Sequence, residues 1–135
     1  MNDFDSYYEH ISVGVIIGIG LNYILFKFQA LDVVLYYIFV ALGSMLPDID
    51  HPKSKLGRIF LPISYILNET VGHRTLTHSI VFITVLFFIS VFVWGINSIT
   101  VGLLVGALMH SVGDMTTASG VAAAYPLSKK RYKIS

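Results

Sequence analysis

The chain has 135 residues, 55% of them hydrophobic and 13% charged, with a mean hydropathy of +0.73. A soluble domain of this size could not hide so much apolar surface from water, so lipid must cover part of it. The net charge of +1 favours neither nucleic acid nor an acidic protein as a partner, and the absence of cysteine excludes disulfides, thiolate metal sites and a cysteine nucleophile.

The first nine residues carry Asp3, Asp5 and Glu9 but no Lys or Arg. That is the opposite of a basic signal-peptide start, so the first apolar stretch is expected to be a retained helix. Apolar runs then predict an all-α membrane protein, a single bundle of about four transmembrane helices over roughly 11–27, 31–47, 78–96 and 98–113. Helices are the expected form because four spans are too few to close a barrel. Gly14 and Gly18 in the first span, and Gly102 and Gly106 in the fourth, have the spacing that lets helix backbones approach. Packing within one chain is the preferred reading of these glycines, with a dimer contact as the alternative.

The long stretch between the second and third runs holds Lys53, Lys55, Arg58 and Arg74, and the C-terminus adds Lys129, Lys130, Arg131 and Lys133. Only Lys27 of the nine basic residues falls elsewhere. The positive-inside rule therefore places this loop and both termini in the cytoplasm of a multi-pass membrane protein, where the basic tail could lie against anionic headgroups. Within the loop, Leu56, Ile59, Phe60, Ile63, Ile66 and Leu67 recur at helical spacing, predicting an interfacial amphipathic helix over roughly 56–68.

Given that topology, His10 opens the first helix and Asp48, Asp50 and His51 close the second. His73 and His78 open the third, while His110 and Asp114 close the fourth. All five histidines are thus expected at one end of the bundle, with Asp32 the acidic residue at the other. His110 and Asp114, four residues apart, share one helix face. Imidazole and carboxylate together suit Zn²⁺, Mn²⁺, Fe²⁺ or Ni²⁺, and the supply of donors is enough for one ion or two. His10, Asp48, His78, His110 and Asp114 border or interrupt apolar runs, where an unpaired polar group is costly, so they are the leading metal ligands. Asp50, His51 and His73 either complete a second ion or support the first. Arg74, between two histidines, is a candidate for contact with a phosphoryl group.

The segments Leu46-Pro47-Asp48-Ile49-Asp50-His51, His73-Arg74-x-x-Thr77-His78-Ser79 and His110-x-x-x-Asp114, followed by Gly120-Val121 and Tyr125-Pro126-Leu127-Ser128, resemble the bacterial LexA-regulated, membrane-bound metal-dependent hydrolases. His10 matches that family's early histidine. The resemblance runs over nearly the whole chain and implies an inner-membrane protein with a divalent-metal site and hydrolytic activity. Zinc or manganese is the expected cofactor, with Asp50, His73 and Arg74 as candidate catalytic groups. A lipid-like substrate, first of all a phosphoester, is expected from the site's position beside the bilayer. A metal or proton transporter and a non-enzymatic membrane partner protein with a structural metal are the competing readings.

Overall fold

The computed structural model describes residues 3–21, 23–24, 29–117 and 119–134, and in the first helix the described side chains are Tyr8 and those from Ile11 onward. Among the described residues it is all-helical, with no named strand. The elements are α1 (Asp3–Leu21), α2 (Ala30–Gly43), a 3-10 helix (Pro47–Asp50), α3 (Lys55–Ile59), α4 (Leu61–Val71), α5 (Ile80–Trp94) and α6 (Ser98–Met115). Two helical runs are long and apolar enough to cross a membrane, Ala30–Asp50 and Ser98–Met115; the apolar part of α1, Ile11–Leu21, and α5 are shorter. The expected first span runs to residue 27, and Lys27 lies outside the described residues.

Helix boundaries follow local chemistry. The Ser79 hydroxyl accepts the Phe82 N–H and starts α5, and Gly95, at φ 73°, ends it. Asn97 then caps α6 by accepting from the N–H groups of Ile99 and Thr100, satisfying donors that would otherwise be orphaned. The second run does not continue as one α-helix to residue 47. α2 ends at Gly43, and Pro47 opens a 3-10 turn in its place. The expected helix over 56–68 is also two helices, broken at Phe60. Pro62 supplies no N–H, and its ring excludes the carbonyl four residues earlier, so α3 cannot run on through it. Apolar side chains of this pair do face outward: Ile59, Phe60, Ile63 and Ile66 are exposed, whereas Ser64 is buried.

The core is the seam between α2 and α6, where Tyr36, Val40 and Val105 are buried and Val15, Tyr37 and Met109 pack around them. Close approach is possible because glycines stand where the two backbones touch. A Cβ at Gly102 would collide with the Tyr36 carbonyl, one at Gly106 with the Val40 carbonyl, and one at Gly43 with the Leu103 carbonyl. On α1, Gly14 faces Val40, Ser44 and Met109, and Gly18 faces Tyr36 and Val40. These glycines pack helices within the chain, the use expected of small residues where lipid removes the hydrophobic drive between helices. At the far end Ser98 donates to the Asp32 carboxylate at 3.1 Å, as its lone acidic position predicts.

The seam yields a stability prediction. Gly106→Ala should cost about 1–3 kcal/mol, because the new methyl meets backbone that cannot rotate away. Gly20→Ala, with nothing within 4 Å of the added carbon, should leave the thermal midpoint of the detergent-solubilised chain unchanged or slightly raised.

Candidate metal centre

Three segments meet at one end of the bundle. The first is the 3-10 turn, which presents Asp48 and Asp50. Pro47 begins it at a position where a missing N–H costs nothing. Its backbone is tied down from outside: Ser54 donates to the Asp48 carbonyl at 2.7 Å, and Asn68 of α4 donates to the Asp50 carbonyl at 3.2 Å. The second is the loop from Gly72 to Ser79, which reverses through positive φ at Gly72 (79°) and at Arg74 (59°). A non-glycine residue rarely adopts that conformation. Here the Arg74 N–H donates to Asp50 Oδ2 at 3.2 Å and holds it. The third is the last part of α6, where His110 and Asp114 lie one turn apart, both buried.

These segments bring Asp48, His78, His110 and Asp114 together, with one donor atom from each lying within 4.8 Å of the others. His78 Nε2 stands 2.9 Å from Asp114 Oδ2, and His110 Nε2 stands 3.4 Å from both Asp114 Oδ2 and Asp48 Oδ1. Donors bound at about 2.0–2.2 Å to a first-row divalent ion are separated from one another by about 3.0–3.5 Å, so the spacing fits a shared cation. Charge fits as well. Two carboxylates are drawn to one centre, with Arg74 Nη2 3.0 Å from Asp114 Oδ1. A divalent ion would be attracted to such a pair of carboxylates. Nitrogen and oxygen donors in equal number suit zinc, manganese or iron.

Asp50, His73 and His51 form a layer outside this group. Asp50 Oδ1 lies 2.7 Å from His73 Nδ1, and Asp50 Oδ2 accepts the Thr77 hydroxyl at 2.6 Å. His51 packs its ring edge-on against His73, and its Nδ1 accepts the Lys53 N–H at 3.1 Å. Among the described residues these three do not assemble a second cation group. Arg74 is already engaged, its Nη1 donating to Thr117 at 2.9 Å and to Ser119 at 2.6 Å in addition to the Asp114 contact. The His10 side chain lies outside the described residues. α1 nonetheless begins at this end, since the Lys55 ammonium sits 5.2 Å above the Tyr8 ring.

Sequence reasoning did not foresee the C-terminal segment as a wall of the site. Val121 pairs with Tyr132 in an isolated antiparallel bridge, the Ala122 N–H donates to the Arg74 carbonyl, and the Ile80 N–H donates to the Ala123 carbonyl. Arg131, exposed in the basic tail, donates to the carbonyls of His73 at 3.2 Å and Gly120 at 3.3 Å. The available signal was the run Val121-Ala122-Ala123, small and apolar beside a glycine, and now buried.

Comparison with known proteins agrees with the membrane setting. Residues 5–135 match the family model described as YdjM inner membrane protein. The chain is 35% identical over 99 residues to YvsG of Bacillus subtilis (strain 168), covering 73% of this chain and 62% of that protein. It is 39% identical over 90 residues to the inner membrane protein YdjM of Escherichia coli (strain K12), covering 63% of this chain and 46% of that protein, and equally to YdjM of Shigella flexneri. It therefore spans about half to three-fifths of the length of these relatives. No solved structure matches. The inner-membrane location expected from sequence agrees with these descriptions, whereas hydrolytic activity is not part of them. With the family model covering all but the first four residues, the chain belongs to the YdjM inner membrane protein family.

Proposed function

We propose that this protein is a metal-dependent hydrolase of the inner membrane, with four spans, both termini in the cytoplasm, and a site that opens at the cytoplasmic interface onto a lipid phosphoester. The observation that carries the reading is the convergence of Asp48, His78, His110 and Asp114 on one point at a helix end. A divalent cation held there supplies Lewis acidity toward a phosphoryl oxygen and toward water.

The chain's own groups divide the remaining work. His78, His110 and Asp114 are buried, whereas the Asp48 side chain keeps 21% exposure, so solvent and substrate approach past Asp48. Asp48 is then the carboxylate placed to accept the proton of water as it adds to phosphorus and to return that proton to the departing ester oxygen, which leaves as the alcohol. Asp50 has both oxygens engaged and serves to hold the loop rather than to accept that proton. Arg74 keeps Asp114 oriented, and a phosphoryl group would compete with Thr117 and Ser119 for its guanidinium.

A lipid substrate is favoured by an apolar groove of about 380 Å³ between α5 and α6, lined by Ile80, Ile83, Thr84, Phe87, Leu104 and Leu108. It begins two residues beyond His78, so a hydrocarbon tail in the groove would keep its headgroup near the cation group. Transport is disfavoured because the path from the site into the bundle is filled by Tyr36, Val40 and Val105.

Two experiments test this. Purified full-length protein should bind about one equivalent of Zn²⁺ or Mn²⁺ and hydrolyse phosphatidic acid or a prenyl phosphate, and Asp114→Asn should reduce turnover at least about a hundredfold. Unchanged turnover would remove the metal from the mechanism. The chain has no native cysteine, so single introduced cysteines report topology directly. Ile96→Cys should react with an impermeant maleimide in intact cells, and Lys130→Cys only after permeabilisation; the reverse pattern would refute the orientation.

A further inference from the structure

Thr77 is the best-placed neutral residue to control the cation group without touching the ion. It is almost wholly buried, and its hydroxyl sits between two partners: Asp50 Oδ2 at 2.6 Å and His78 Nδ1 at 3.1 Å. A hydroxyl has one proton to give. Asp50 draws it, since that carboxylate, 1% exposed, also gathers the Arg74 N–H and the His73 ring nitrogen around it. With its proton committed to Asp50, the Thr77 oxygen can only accept from His78.

We propose that Thr77 is a positioning residue that fixes the hydrogen of the His78 imidazole on Nδ1, leaving the Nε2 lone pair to face the point shared with Asp48, His110 and Asp114. The consequence for metal affinity rests on the cation reading above, but the assignment of the hydrogen does not. Geometry on the far side of the ring agrees. Nε2 lies 2.9 Å from Asp114 Oδ2, a separation that two groups sharing a cation would also show. The order His73, Asp50, Thr77, His78 thus runs inward from a part-exposed histidine to a fully buried one, and each link sets the direction of the next. It also gives the separation in sequence a meaning: Asp50 closes the second helical run and Thr77 precedes the third, so the tautomer is set only when the two segments are docked. Outer partners of this kind orient metal-ligating histidines and raise their basicity.

The test uses the full-length protein in detergent, stripped with chelator, and reads imidazole nitrogen resonances with His78 assigned by its Gln variant. Wild type and Thr77→Ser should show hydrogen on Nδ1 of His78, and Thr77→Val should lose that preference. Zn²⁺ added as the probe should bind Thr77→Val about 10–100-fold more weakly, and Thr77→Ser within about threefold of wild type. A bare Nδ1 in the wild-type protein, or wild-type Zn²⁺ affinity in Thr77→Val, would overturn the proposal. Should Thr77→Val not fold, the wild-type spectrum decides alone. Should wild type show hydrogen on Nδ1 yet take up no Zn²⁺, the role of Thr77 stands and the cation reading falls.

Discussion

Everything at the site depends on how closely α2 and α6 approach. Gly102 and Gly106 sit against the carbonyls of Tyr36 and Val40, and Gly43 against that of Leu103, so the two helices meet backbone to backbone. Gly106 lies one turn before His110, and Val40 lies two turns before Asp48. Locking those levels together delivers the 3-10 turn to the face of α6 that carries His110 and Asp114. A larger residue in the seam would move Asp48 away from His110; the two now stand 3.4 Å apart.

Buried polarity is concentrated where that seam ends. Asp50, Thr77, His78, His110 and Asp114 are all buried, while Ile16 on α1, Leu31 on α2 and Phe88 and Phe92 on α5 are exposed. In water this partition would be unfavourable on both counts. In a bilayer the exposed apolar surface is solvated by acyl chains, and the buried ionisable groups, costly unless paired, are gathered against one another. The loops around the centre brace it: Arg74 binds Asp114, and Arg131 ties the C-terminal segment to the His73 carbonyl.

Much of this was readable in the sequence because helix periodicity is a strong signal. His110 and Asp114 had to share a face, and Asp32 had to lie apart from the other acidic groups. Asp48 could be ranked ahead of Asp50 because it borders an apolar run, but the geometry that separates them was not readable. Both lie on one short 3-10 turn, and the turn's phase is set by contacts from Ser54 and Asn68, six and eighteen residues away. His78 was likewise ranked ahead of His73 by its place at the edge of an apolar run, whereas the loop reversal that sets their depths relies on a positive φ at an arginine and was not readable. The break between α3 and α4 was visible in Pro62, which the apolar periodicity of the segment masked. The C-terminal fold-back was hidden because a bridge between Val121 and Tyr132 leaves no pattern in composition.

The most direct measurement of the central claim is X-ray absorption on the Zn²⁺-loaded full-length protein. A shared site built from Asp48, His78, His110 and Asp114 predicts nitrogen and oxygen neighbours at about 2.0–2.2 Å together with the outer-shell scattering of about two imidazoles. A spectrum with oxygen neighbours alone and no imidazole signature would show that these four residues do not meet around a metal.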